Sequence, residues 1–470
     1  MSRPLDPSRL SQGPPKPNGS TAKESSHLPL HRRLLFPTYP PDQPLPPLVS
    51  GDSTEIAILN ERLYNFIALT LRAYILSWLP RITRDRSLLP HVHTTIIAPI
   101  LAPIFEYMAT HPESFVPLIL HDVPGVLTLH CRTYWQARRS ARLCTNPLDE
   151  AYHASLPLLA VVPALASTEP PEVGRNPIPE GQYIVSGLWL TSMADAVVKH
   201  SLSEDDYKVT MQRTMAREII GRTVLGTVAR RVGEPWFWWG LILKCLPEPP
   251  RPSANNRSVT IGIELVAIVH HTLSLLSGIW TALTWLGASL TEAPETQYVQ
   301  VTDSWVELLR ELLNVDGRQG RQNWVLKMVY GMVEGLMWLL SPLFDRLLPY
   351  LLRVHVLTPS TCLRLLDLLE NILFPLDGWP APTPPDPSPD EAAAMRRLVE
   401  ERLSNLLSRR SRNIIAPSHT ELQALLDPLS DPGCNAHLVG MLYTTLFAAA
   451  LPDLVVNKPG DLEVPGNLGK

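Results

Sequence analysis

An all-α fold follows from three observations on this 470-residue chain. Apolar residues recur at three- and four-residue steps through most of the sequence after Glu55, the period of a half-buried helix. Alternating strand patterns are missing, as are Asn-Gly or Asp-Gly turns between β-branched runs. Finally, many of the 48 prolines crowd into 1–50, 161–180, 246–253 and 375–389, where the periodicity stops. Those stretches are expected to be a tail and three loops or linkers.

Residues 1–52 mix Pro, Ser, Lys and Gly without a hydrophobic period and are expected to be disordered. The first helix follows in EIAILNERLYNFIALTLRAYILSWL, with an apolar face through Leu59, Leu63, Phe66, Ile67 and Leu71. Further helices are expected over 86–109, 114–141, 148–163, 181–200 and 203–232. In the last of these Tyr207, Met211, Met215, Ile219, Val224, Leu225 and Val228 make an apolar stripe. Ser203 suits its N-cap, with Asp206 three residues on. The second half predicts helices over 259–290, 302–314, 322–354, 358–374, 389–411, 417–427 and 432–451. The chain thus divides into a tail 1–52, helical regions 53–250 and 251–375, a Pro-rich linker 376–390, terminal helices 391–456 and a tail 457–470.

The segment EPWFWWGLI places four aromatic residues in a row after Pro235, a residue suited to the first helical position. Successive residues on a helix point to all sides, so the four cannot share one environment. Trp236 and Trp239, three apart, are expected to face inward. Phe237 and Trp238 then face either another helix of the second half or a lipid boundary, which indole favours.

Composition narrows the functional classes. Charged residues make up 18% and the net charge is −4, which disfavours a nucleic-acid binder. The five cysteines are widely spaced and contain no CxxC pair, so they are expected to be reduced. The N-terminus has no apolar core segment of a secretory signal. No phosphate loop, GxGxxG, GxSxG or HExxH occurs. His91 with His93, and His270 with His271, lack ligands at metal spacing, and His121 beside Asp122 has no nucleophile. No catalytic residue, metal site or cofactor is expected. The arginine runs Arg138, Arg139, Arg142 and Arg409, Arg410, Arg412 suit solvated helix ends or anionic headgroups.

Residues 266–290 carry no formal charge over a length that could span a bilayer. Two readings stand: a spanning helix, or one buried in a helical core or lining an apolar cavity. The segment 324–352 is apolar but carries Lys327, Glu334, Asp345 and Arg346, which suits a groove wall or an interfacial helix.

Several motifs in order resemble the PXA (PX-associated) domain of sorting-nexin relatives. They are YILSWLPRITRD with Trp78, LILHDVPGVLTLHCRTYWQAR with Asp122 and His130, Tyr152 and His153 in DEAYHASL, and the helix carrying Arg217, Glu218 and Ile219 before Pro235. Gly221 stands where the family has a small alanine. The stretch 425–454, with Asn435, His437, Leu438 and a Pro452-Asp453-Leu454 stop, is similar to the close of the sorting-nexin C-terminal domain. PX and RGS modules have no counterpart, so phosphoinositide recognition by a PX fold is not implied.

The resemblance implies a non-catalytic protein on the cytosolic face of endomembranes (endosome, vacuole or ER), peripheral or integral, that binds or transfers lipid in a helical groove. Phe237, Trp238, Val269, Leu276, Trp280, Trp285, Leu286 and Trp338 are the candidate lipid contacts. The alternative is a trafficking adaptor that binds proteins and uses its apolar helices only as an anchor. Membrane lipids are the expected partners, with protein partners in trafficking and no nucleic acid.

Overall fold

Ser53 starts the first long helix: its hydroxyl accepts the Ile56 N–H at 3.2 Å, the usual N-cap bond. The computed structural model describes residues 28–76, 79–82, 88–144, 147–165, 176–247, 287, 301–315, 322–374, 385–411 and 419–452. Trp78 and all of the apolar segment 266–290 except residue 287 lie outside the described residues, so the spanning question and five candidate lipid contacts (Val269, Leu276, Trp280, Trp285 and Leu286) lie there too. The fold is all-α, and the chain divides into two units, 1–97 with 365–381 and 98–364 with 382–470.

The first unit holds α1 (Leu30–Leu35) and α2 (Thr54–Tyr74), with short helices Leu79–Ile82 and Leu88–Val92 and the end of the helix Pro359–Leu373. Leu69 and Ala73 of α2 bury against Phe374, with Leu30 and Phe66 beside them. The Phe36, Tyr64 and His93 rings meet edge to face. Order here begins earlier than composition predicts. The Asn60 side chain accepts from the Leu48 and Val49 N–H groups, both at 2.8 Å, and donates to the Val49 carbonyl. That pins a segment expected to be disordered: proline-rich chain has no internal ladder, but one half-buried amide supplies three bonds.

The second unit contains α3 (Ala98–Thr110), α4 (Val123–Cys144), α5 (Leu148–Ser155), strands β1 (Val161–Pro163) and β2 (Tyr183–Val185), α6 (Gly187–Ser201), α7 (Thr210–Glu218), α8 (Gly226–Gly233) and α9 (Pro235–Cys245). Then come α10 (Asp303–Leu312), α11 (Gln322–Leu351), α12 (Pro389–Ser411), α13 (His419–Leu426) and α14 (Pro432–Ala450). Strands β1 and β2 pair antiparallel, Val161 opposite Val185. They fall where periodicity predicts the end of one helix and the start of another; two strands of three residues are too short to show a period.

The helix expected over 203–232 is three pieces. Ser203 caps as predicted, accepting the Asp206 N–H at 3.2 Å, but the helix it starts is only Glu204–Lys208. After an extended Val209, α7 begins, and it passes into a π turn over Ile219–Leu225 before α8. Asp195 of α6 fixes this entry, accepting from Arg213 Nε at 3.0 Å and from the Tyr207 hydroxyl at 3.1 Å.

Gly221 sits where the π turn presses on α6. A Cβ there would lie 2.8 Å from Thr191 Cα and 3.1 Å from the Leu190 carbonyl. The family's alanine does not fit because backbone, which cannot rotate away, occupies the space. Gly221→Ala is therefore expected to lower stability by ~1–2 kcal/mol, the overpacking cost exceeding the ~1 kcal/mol helix-propensity gain. An unchanged urea midpoint would show that the two helices separate freely.

The last helix is the centre of this unit. In α14 every residue from Gly433 to Met441 is buried, because the stretch carries no charge and its apolar and small residues lie on all sides rather than along one stripe, with Asn435 and His437 hydrogen-bonded inside. Asp431 caps it, accepting the Cys434 N–H at 2.8 Å, and Pro432 opens it. One side meets Tyr134, Trp135, Ala151 and Tyr152 through Cys434. Another meets Leu190 and Ala229 through Val439 and Tyr443, and a third meets Ala160 and Val161 through Ala436.

Candidate functional site

Four side-chain bonds tie residues 428–443 to successive elements of the first half. His130 of α4 donates Nε2–H to the Pro428 carbonyl at 3.0 Å, and its Nδ1 accepts the Tyr152 hydroxyl at 2.9 Å. The carbonyl can only accept, so it fixes the tautomer. By the same logic His437 donates Nδ1–H to the Gly433 carbonyl at 3.0 Å and takes the His153 Nδ1–H on Nε2 at 2.9 Å. Asn435 donates both amide hydrogens, to Gly233 at 3.1 Å and Leu429 at 3.0 Å. The Tyr443 hydroxyl donates to the Leu225 carbonyl at 2.8 Å, at the end of the π turn.

His130, Asn435 and His437 are all fully buried. Burial removes water from the imidazolium and holds both histidines down to about 4, so they are neutral at physiological pH. A neutral network of this kind, in which the Asn435 Oδ1 alone of the three side chains' polar atoms has no partner, positions helices; it offers no nucleophile. Among the described residues no group of three His, Cys, Asp or Glu side chains is placed to hold a metal.

The other predicted residues are spread over the unit. Glu234 and Pro235 make the turn between α8 and α9, with Gly233 held by Asn435. Arg217 is half-buried and donates to Glu218 at 3.3 Å, while Asp122 is exposed. In the aromatic run Trp239 is buried against Val399 and Leu426, and both Trp236 and Trp238 lie on the same cluster with Met395, Leu403 and Leu429. Trp238 thus meets helices of the second half, and Phe237 sets its ring edge to face with Trp238 at 5.7 Å. Trp338, on α11, is 75% exposed.

Sequence reasoning missed the way the 211–228 stripe faces. Met211, Met215, Ile219, Val224 and Val228 are all exposed, Met211 by 72%. Their spacing is four, four, five and four. In an α-helix a five-residue step overshoots the face by about 140°, but the π turn holds about one residue more. The five-residue step falls on the π turn, so the stripe stays on one side. Leu188 of α6, the helix against that turn, is also exposed. A second apolar exposure is the first part of α11: Met328, Met332, Leu336, Trp338 and Leu339 lie open, whereas Leu347 near its end is buried and Leu348 packs against Val116, Leu120 and Val301.

Two stretches, Leu89–Thr110 and Pro112–Leu143, are long and apolar enough to cross a membrane by length and composition. Core helices meet the same test, and the second stretch contains the buried Tyr134, Trp135 and Ala137 of the α14 cluster.

Residues 57–245 match the family model of the PXA domain. PXA is a non-catalytic domain family of trafficking proteins. The match ends with α9, so α14, which fills the interior of this unit, lies outside the matched PXA residues. No curated protein and no solved structure matches the chain.

Proposed function

We propose that this chain is a non-catalytic, lipid-binding protein of membrane trafficking that works on the cytosolic face of endomembranes. The observation carrying the reading is the exposed stripe Met211, Met215, Ile219, Val224 and Val228 on the PXA domain. Five apolar side chains on one face, each about half exposed or more, are costly in water and are satisfied by acyl chains. Covering them recovers on the order of 4–8 kcal/mol, at ~1.5–3 kcal/mol per fully buried side chain and less for those already half covered. The open part of α11, with Trp338, offers a second apolar surface of the same chemistry. Lipid transfer between membranes, rather than attachment alone, is the further form of this function.

Vesicle co-sedimentation with Met215→Asp/Ile219→Asp tests the stripe. Both side chains are exposed, so the variant is expected to keep its thermal melt and to lose at least tenfold in vesicle affinity. Native mass spectrometry of the purified chain is expected to show retained phospholipid. Unchanged vesicle binding with lipid-free protein would favour the adaptor reading, in which the same stripe seats a partner protein's helix.

A further inference from the structure

We propose that the recess formed by α4, the end of α10, α12 and α13 is a binding pocket for a phosphate group. It measures about 500 Å³ and is lined by Trp135, Arg138, Arg142, Asn314, Arg396, Gln423 and Asp427, among others. Three guanidinium groups therefore face one carboxylate.

The arginines do different work. Arg396 is committed to the fold: it donates to Asp427 at 2.7 Å, to Ser430 at 2.9 Å and to Glu400 at 3.2 Å. Arg138 donates to the other Asp427 oxygen, and its guanidinium lies over the Trp135 ring at 5.4 Å. This holds a planar, five-donor group in a set orientation with most donors unspent. Arg142 follows one helical turn later, exposed, with no partner among the described residues. Like charges four residues apart on a helix repel by ~0.2–0.5 kcal/mol, and an anion between them reverses the sign. Asn314 brings an amide to the same recess from the only non-glycine left-handed position among the described residues (φ 48°). That backbone closes α10: the Val315 N–H returns to Arg310 and the Asn314 N–H to Glu311.

The open Arg142 fork and the remaining donors of Arg138, which is already bonded to Asp427 and Tyr134, match a phosphomonoester, which carries about −1.5 to −2 charges and three acceptor oxygens. The phosphate is either a lipid headgroup's or that of a soluble compound. None of these residues belongs to the apolar stripe, so the pocket and the lipid-binding reading stand or fall separately.

Titration calorimetry on the full chain, with myo-inositol 1,4,5-trisphosphate and with inorganic phosphate, tests the pocket. Co-sedimentation with phosphatidylcholine vesicles, with and without a phosphatidylinositol monophosphate, tests the headgroup. Arg142→Ala and Gln423→Glu are the variants; both side chains are exposed, and Arg396 contacts only the backbone of Gln423. Each is expected to keep the wild-type melt and to weaken binding roughly tenfold. Binding of the soluble probes, weakened in both variants and without binding to phosphorylated vesicles, assigns the pocket to soluble phosphate. Binding to phosphorylated vesicles, weakened in both variants, assigns it to a headgroup whether or not the free trisphosphate also binds. Absence of binding to every probe, or binding that folded variants leave unchanged, overturns the proposal.

Discussion

A chain ending at Asp431 is expected to lose the tertiary structure of the second unit, including residues 98–245 of the PXA match. The truncation removes α14, whose Leu438, Val439, Met441 and Tyr443 are buried. At ~1.5–3 kcal/mol per large side chain these four alone supply about 6–12 kcal/mol, comparable to the whole stability of a typical domain. It also strips bonds from three places in the first half. Gly233 loses Asn435, Leu225 loses Tyr443, and His153 loses His437. Buried polar groups left without partners cost about 1–3 kcal/mol each. Near-ultraviolet circular dichroism and a thermal melt of the truncated chain check this. A cooperative melt close to that of the full chain would show that the PXA residues close their own core. The same physics predicts that a PXA fragment cut at residue 245 aggregates, and that adding residues 389–452 in trans restores solubility.

Acid is expected to destabilise the second unit between about pH 6.5 and pH 4. His130 and His437 sit at about 4 in the folded chain, against an ordinary value of 6.5. Between those values the unfolded chain takes up protons that the native chain refuses, so stability falls as pH falls and the loss saturates below about 4. From pH 7 to pH 5 each histidine contributes a loss of about 2 kcal/mol. The groups around them are His153, Tyr152, Tyr183 and Asp149. Asp431, at the start of α14, works in the opposite direction, since burial raises its carboxyl and makes the native state the better acceptor of that proton. Its effect lies nearer the ordinary carboxylate range, below most of the histidine window. Urea midpoints at pH 7, 6 and 5 check the slope. His130→Phe should start less stable, because Tyr152 and Pro428 lose their partner, yet show roughly half the pH dependence. Parallel curves for the two proteins would place the acid sensitivity elsewhere.

The identity of the first half was legible because its signals are local. The Ser203 cap, the Pro235 turn and the Arg217-Glu218-Ile219 signature each lie within one or two helical turns, and the family match falls on those residues. The strands β1 and β2 were not legible, being three residues each and held together across some twenty positions. Nor was the order around Val49, which depends on a single amide at Asn60. The aromatic run was half legible. Helical spacing sends Trp236 and Trp239 to one face, but that Trp238 also meets the cluster around Val399 and Leu426 depends on a helix more than 150 positions away.

The sequence by itself determined that the chain is helical, where most helices stop, and that it carries a PXA signature. Periodicity, caps and proline act within a few residues, so no distant partner is needed to read them. Only the tertiary structure decided which helix is the core and which stripe is the surface. Both α14 and the 211–228 stripe are apolar, and hydrophobicity is non-directional: it states that a face will be covered without naming what covers it. Covering α14 falls to α4, α5, α6, α8 and the strand pair. The π turn, locked by Tyr443, leaves Met211 through Val228 facing out.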